Sequence, residues 1–344
     1  MATVQEQVEE SLEASRLRGS SLIVAVSGGS DSLTLLHCLR SLQTSMNLRL
    51  HVVHVDHGLR PTSYHDGAFV QQIARALGLS CTVVSVSVGN GSPEAAARDA
   101  RYGALAKVAT DQHADAIAVG HTLNDQAETV LLHIVRGSGL TGLRAMSVFS
   151  DLSIDNGPES KIFRPLLGVS RTETAAFCDE LGLAPIQDHT NLDTTIPRNL
   201  LRIEAIPLLE TLNPKLVEGL RRLSDTVNID LGYINSRLDE VWSDLVEQSG
   251  QISSLKRNLF NALHPSLQRH ALRRAYESAR GSTGGLEYAH VESMLMLAQA
   301  AAGKVLSLPG GVFMEARHGS ILLFPPDADR CELPILVNRQ ELRV

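Results

Sequence analysis

The chain has 344 residues, 43% of them hydrophobic and 20% charged, the composition of a soluble globular protein with room for about two domains. No stretch approaches the roughly 20 apolar residues of a membrane helix, which excludes a spanning segment. The formal net charge of −7 argues weakly against a nucleic-acid partner.

The N-terminal segment MATVQEQVEESLEASRLRGS is acidic and polar, without an apolar signal region. SLIVAV (21–26) reads as a buried strand and SLTLLHCLRSL (32–42) as the helix after it. RLHVVHV (49–55) is the next strand, followed by a helix near HDGAFVQQIARAL (65–77) and a third strand, CTVVSVSV (81–88). SPEAAARDARYGALAKVA (92–109) opens with Ser as N-cap and Pro at the first helical position. ADAIAV (114–119) is a fourth strand and NDQAETVLLHIVRG (124–137) a helix closed by Gly137. Strands alternating with helices at this spacing predict a mostly parallel, doubly wound α/β sheet.

After RGSGLTGLRAM the pattern breaks. VFSDLSIDNGPESKIFRPLL (148–167) reads as two strands around an Asn-Gly turn, then SRTETAAFCDELG as a helix. An acid-rich helical stretch follows at 213–248. Helices near 265–279 and 287–302 and short strands in KVLSLPGGVFMEARHGSILLF then suggest a smaller α+β domain. The expected organisation is therefore a catalytic domain at 1–215, a helical connector at 216–250 and a C-terminal domain at 251–344. Cys38, Cys81, Cys178 and Cys331 are far apart and form no CxxC pair. Reduced thiols in a cytoplasmic protein are the plain reading, and a structural zinc or cluster is disfavoured.

The loop SGGSDS (27–32) joins the first strand to its helix. Such a turn offers backbone N–H groups and the positive end of a helix to an anion. It lacks the spacing and lysine of a Walker A loop, and it is no Rossmann fingerprint. The alternative is a tight turn whose glycines only permit positive φ. HVDHGLR (54–60), GNGSPE and GHTLNDQAE (120–128) also follow strands, where open parallel sheets bind ligands.

S-G-G-x-D-S resembles the pyrophosphate loop of the N-type ATP pyrophosphatases. With HVDHGLR, EAAARDARY, GHTLNDQAETVLLHIVRGSGLTGL, RPLL and DHTNLD…RNLLR in this order, residues 20–215 resemble the tRNA(Ile)-lysidine synthase family. The resemblance implies a PP-loop ATP pyrophosphatase, Rossmann-like fold and an ATP-dependent carbon–nitrogen ligase. Its substrates would be L-lysine and a tRNA(Ile) with a CAU anticodon, its cofactors ATP and Mg²⁺, with no obligate protein partner. The C2 oxygen of the first anticodon cytidine attacks the α-phosphorus, and lysine then displaces AMP, changing codon and amino-acid identity from Met to Ile. Some family members carry a further module, for which this chain is too short.

The same resemblance implies roles for individual residues. Ser27, Gly28, Gly29, Ser30, Asp31 and Ser32 would clasp the pyrophosphate, with Asp31 also holding Mg²⁺. Val55 and Asp56, with His57, would lie at the adenosine. Arg101 would reach the α-phosphate, while Glu94–Arg98 reads as a surface pair. His121 would contact phosphate or shuttle a proton, or is simply structural. Asp125 and Glu128, three apart on one helix face, would bind lysine's ammonium groups, or only favour the helix dipole. His51 and His54 read as packing residues on opposite faces of their strand.

The charge objection is local. Residues 256–280 hold Lys256, Arg257, Arg269, Arg273, Arg274 and Arg280 against Glu277 alone. This stretch suits RNA phosphates, or is a solvated helix face. Arg198 and Arg202 lie nearer the expected cleft and are candidates for the anticodon loop, whose unpaired bases can be splayed out. Two other readings stand beside the ligase: a related pyrophosphatase with another acceptor, such as a tRNA thiolase or amide-forming ligase, and a non-catalytic nucleotide sensor or RNA-binding module.

Overall fold

The computed structural model describes residues 3–56, 58, 63–86, 93–152, 159–186, 192–281 and 285–328. Two compact units are present, one formed by Met1–Val135 and Arg144–Ser224, the other by Arg136–Leu143 and Asp225–Val344.

The first unit opens with a helix the sequence reading missed, α1 (Val4–Ala14). Thr3 accepts from the Glu6 N–H, and the Glu6 carboxylate accepts from the Thr3 N–H, a capping box. Val8 and Leu12, four apart, are fully buried in the core. The T-x-x-E spacing ahead of V-x-x-x-L was the available signal.

Strands and helices then alternate: β1 (Ser21–Ala25), α2 (Ser30–Ser41), β2 (Arg49–Asp56), α3 (Ser63–Ala76), β3 (Ser80–Ser85), α4 (Pro93–Asp111), β4 (Ala116–Ala118) and α5 (Leu123–Val135). The short α6 (Leu140–Leu143) belongs to the second unit. The first unit resumes with β5 (Phe149–Leu152), β6 (Ser160–Phe163) and α7 (Arg171–Glu180). The expected Asn-Gly turn between β5 and β6 lies outside the described residues. Next come α8 (Pro197–Leu200), a π-helical turn over Leu201–Ala205, and α9 (Ile206–Glu210). Pro207 has no N–H to donate. At the turn, the Ile206 N–H reaches back five residues to the Leu201 carbonyl.

The sheet order is β3-β2-β1-β4-β6-β5. All neighbours are parallel except β5, which runs antiparallel to β6, so the fold is the expected mostly parallel α/β sheet. Side-chain alternation along β1 sends Leu22 and Val24 into one core, with Leu33 and Leu36, and Ile23 into the other, with Tyr102 and Leu105. β1 is flanked by β2 on one side and β4 on the other. The strand order therefore reverses beside β1, which makes the carboxyl ends of β1 and β4 the switch point where open α/β sheets place their ligand crevice.

α10 (Leu216–Leu245) carries the chain from one unit into the other. The second unit continues with β7 (Val246–Ser249), β8 (Ile252–Lys256), α11 (Arg257–Ala262), α12 (Pro265–Arg280) and α13 (Tyr288–Gln299). It ends in β9 (Val305–Ser307), a single 3₁₀ turn, β10 (Phe313–Ala316) and β11 (Ser320–Phe324). The strands form an antiparallel sheet ordered β7-β8-β11-β10-β9, around a core that includes Phe260, Leu272, Tyr276, Met294 and Ile321. β7 and β8 occupy residues that carried no strand expectation. Among the described residues, no helix is long and apolar enough to cross a membrane.

Candidate active site

The glycine-rich loop sits at the carboxyl end of β1. Gly28 has φ +96°, and a Cβ there would lie 2.5 Å from Ile186 Cδ1, so only glycine fits. Ser32 Oγ accepts from the Ser27 and Gly28 N–H groups at 3.2 and 3.1 Å and donates to the Gly29 carbonyl at 2.9 Å. Gly29 caps α2, and Ser30 and Asp31 occupy its first turn. The loop thus leads into a helix N-terminus, a position that can hold an anion. A Cβ on Gly120, just after β4, would lie 3.0 Å from the Asp31 backbone, so the two loops meet at van der Waals distance.

Asp31 is held from α7. Thr174 Oγ1 donates to Asp31 Oδ1 at 2.5 Å, and Arg171 Nε stands 3.7 Å from Oδ2. Burial raises the Asp31 pKa, while Thr174 and Arg171 pull it back down. Its carboxylate fits a hard divalent cation of the Mg²⁺ type, which is commonly held by one or two carboxylates plus substrate phosphates. Among the described residues no group of three His, Cys, Asp or Glu side chains forms a metal cage.

Asp125 and Glu128 project from the first turns of α5 and are buried. The Thr122 N–H and Oγ1 donate to Asp125 Oδ2 at 2.8 and 2.9 Å. Three arginines complete the cluster. Arg171 donates to Asp125 Oδ1 at 2.6 Å and to Glu128 Oε1 at 2.7 Å. Arg198 Nε donates to Glu128 Oε2 at 2.8 Å, and its Nη2 to Asp125 Oδ1 at 3.2 Å. Arg202 donates to both Glu128 oxygens, at 2.7 and 3.1 Å. Burial opposes ionisation of both acids, but the guanidinium charges win, holding Asp125 at a pKa of about 2 and Glu128 below its usual range. The sequence reading missed Arg171 and its partner Thr174. An S-x-x-E capping box starting α7 marks the helix, but nothing local marks the arginine as facing α5. Arg198 and Arg202, expected near the cleft, are in it.

His121 lies between β4 and α5, with its Nδ1 buried and without a hydrogen-bond partner. Burial lowers its pKa to about 3, against the opposing pull of Asp125 and with help from Arg164, Arg101 and Arg198. It is therefore neutral at pH 7 and has no charge to offer a phosphate. Arg101 is thus an electrostatic neighbour of His121. Arg98 and Arg101 lie 5.4 and 5.1 Å from the centre of the Tyr102 ring. Buried Arg164, from the RPLL segment, donates to the Ser147 carbonyl and Ser150 Oγ at 3.0 and 2.9 Å.

Val55 and Asp56 end β2 beside this switch point, and Asp56 accepts from the Gly58 N–H at 2.8 Å. His57 and the Glu94 side chain lie outside the described residues, as does Cys331. His51 bonds Ser80 and Thr82, and His54 bonds the Val26 carbonyl, all at 2.8 Å. Cys38 and Cys178 are buried, and burial pushes the Cys38 thiol up to about 12. The Cys178 thiol donates to the Ser30 carbonyl at 3.5 Å, behind the loop.

The basic stretch of the second unit is internally engaged. Lys256 pairs with Glu247, Arg269 with Glu292 and Arg274 with Asp239, Arg274 also stacking on Trp242. Arg257 bonds the Arg317 and Ala300 carbonyls, Arg273 the Leu286 carbonyl and Arg280 the Tyr276 hydroxyl.

A family model described as a PP-loop domain matches residues 1–209, and one described as the TilS substrate binding domain matches 255–320. Curated relatives carry the name tRNA(Ile)-lysidine synthase. The one from Dehalococcoides mccartyi is 35% identical over 89% of this chain and 66% of its own length. The protein from Symbiobacterium thermophilum is 37% identical over 88% and 64%, and that from Gloeobacter violaceus 38% identical over 80% and 82%. The chain thus spans just under two thirds of the first and second of these relatives. Among solved structures, the U34-tRNA thiolase NcsA from Methanococcus maripaludis, with its [4Fe-4S] cluster, matches with a TM-score of 0.53 at 19% identity, covering 64% of this chain and 78% of the thiolase. That likeness concerns the fold alone. The PP-loop match spans more than half of the chain, and the Gloeobacter relative aligns over most of both proteins: this chain belongs to the tRNA(Ile)-lysidine synthase family.

Proposed function

We propose that the chain ligates free lysine to C2 of the first anticodon cytidine of a CAU-anticodon tRNA(Ile), using ATP. One observation supports this above all: Asp31 of the glycine-rich loop and the buried carboxylates Asp125 and Glu128 converge on Arg171. A nucleotide sensor needs the loop but has no use for buried acids beside it.

Two displacements make up the reaction. The cytidine O2 attacks the α-phosphorus and pyrophosphate leaves, giving an adenylated tRNA. The lysine ε-nitrogen then attacks C2, and AMP departs with that oxygen. The loop 27–32 binds the departing pyrophosphate at the N-terminal end of α2, where Ser32 Oγ holds the Ser27 and Gly28 N–H groups and so shapes the turn. Asp31, with phosphate oxygens, would hold Mg²⁺, which supplies charge stabilisation at the phosphoryl groups. Arg101 offers positive charge to the α-phosphate. Asp125 and Glu128 bind the ammonium groups of lysine. Neutral His121 contributes a hydrogen bond rather than a charge. Val55 and Asp56 lie where the adenosine belongs.

Purified protein with ATP, Mg²⁺, labelled lysine and the CAU tRNA provides the test. AMP, pyrophosphate and a lysine-bearing nucleoside should form together. Intact ATP after incubation would favour a binding module, and AMP without lysine incorporation would favour another acceptor.

A further inference from the structure

Glu128 has no oxygen left for a substrate cation. Its two oxygens accept four hydrogen bonds, from Arg171 Nη1, Arg198 Nε and Arg202 Nε and Nη2. A carboxylate has about four lone-pair sites, so it is saturated. Asp125 also accepts four, from the Thr122 N–H and Oγ1 on one oxygen and from Arg171 and Arg198 on the other. Three guanidiniums face three carboxylates, so the cluster is neutral and has no net attraction for a further ammonium group.

The arginines are not equivalent. Arg171 begins a capping-boxed helix, its N–H is held by Asn124 Oδ1 at 2.9 Å, and it reaches all three acids. Arg198 and Arg202 come instead from the interrupted segment Pro197–Glu210. Within it Leu200, Ile203 and Leu208 are 41%, 36% and 68% exposed while Ile206 is buried, so only part of its apolar surface fastens this stretch. A guanidinium exchanges readily between carboxylate and phosphate, because both present the same two-oxygen edge.

We propose that Arg198 and Arg202 form a latch on the amine site, closed in the free protein and opened by phosphate oxygens of a bound substrate. This rests on the lysine reading above. Phosphates draw the two guanidiniums off Glu128 and Asp125, and the uncovered buried negative charge then binds the ammonium of lysine. Lysine binding thus follows arrival of the phosphate-bearing substrate, RNA or nucleotide.

Equilibrium dialysis with labelled lysine tests the latch on the full chain. The arms are protein alone, with a non-hydrolysable ATP analogue and Mg²⁺, with the CAU tRNA, and with both. Lysine should bind weakly to the free protein and about tenfold or more tightly once the latch-opening phosphate is present. The arm in which affinity rises identifies its source. Arg202→Gln and, independently, Arg198→Gln should each raise lysine affinity in the free protein by about tenfold, since each leaves an uncompensated carboxylate. Circular dichroism checks the fold of both variants. Free wild-type protein that binds lysine as tightly as the complete mixture would overturn the latch. So would folded Gln variants that bind lysine no better than wild type. Lysine binding in no arm at all would instead sink the lysine reading, and the latch with it.

Discussion

Thr174 Oγ1 lies 2.5 Å from Asp31 Oδ1, joining residues 143 apart in sequence. The contact fixes α7 against the start of α2, and it brings Arg171, one turn earlier on α7, to the acids of α5. Asp31 thereby belongs to two systems, the glycine-rich loop and the arginine–carboxylate cluster.

Asp31→Asn should abolish AMP formation without costing stability at neutral pH. Burial raises the folded-state pKa of Asp31. The folded form therefore holds its proton more tightly than the unfolded chain, and this group's contribution to stability falls as pH rises through that window. A neutral amide escapes that cost while keeping an acceptor for Thr174. Thermal unfolding at pH 7 and AMP release check the two halves. A variant that still turns over would remove Asp31 from the chemistry.

Glu128→Ala should cost about 3 kcal/mol of stability, because it removes both hydrogen bonds of Arg202 and one each from Arg171 and Arg198, which keep Asp125. Urea unfolding at pH 7 measures the loss. At temperatures where the variant stays folded, adenylated tRNA should still form and accumulate, since lysine lacks its acceptor. Equal failure of both half-reactions would place Glu128 at the nucleotide.

Acid should unfold the first unit in two stages. The His121 pKa falls from 6.5 to about 3 on folding. The unfolded chain therefore binds the extra proton first, and stability declines as pH drops below about 6.5. Asp125 is depressed from 3.8 to about 2. Its contribution is full above pH 3.8 and is lost as pH falls through the lowered folded-state value. His121→Gln should flatten the stability profile between pH 6.5 and 4, while the arginines that hold Asp125 ionised keep a loss at lower pH. Urea unfolding across this pH range shows whether the first stage disappears.

Arg273→Ala combined with Arg274→Ala should lower stability by about 1–2 kcal/mol through the lost Asp239 pair, Trp242 stacking and Leu286 bond. tRNA binding should weaken and its salt slope should fall, because a guanidinium paired with an exposed carboxylate or a carbonyl can still exchange onto phosphate. A slope smaller by about two would show that both arginines contact phosphate.

The sequence alone determined the alternation of strands and helices, the glycine loop at the end of β1 and the paired acids in the first turns of α5. Each is a local property: period-2 or helical patterning, a backbone that needs glycine at positive φ, or a spacing of three on one helix. α1 was legible in the same way, through its capping box and the Val8–Leu12 spacing. What neutralises the acids was decided only by tertiary structure. Arg171, Arg198 and Arg202 reach Glu128 across 43, 70 and 74 residues, and Asp31 meets Thr174 across 143. Ion pairing depends on distance in space, and sequence periodicity carries no information about which distant helix will pack against α5. The basic stretch at 256–280 makes the same point in reverse. Its charge was visible in the chain, but the groups its side chains meet, on α10, β7, α12, α13 and neighbouring backbone, are brought there by the packing of the antiparallel sheet and its helices.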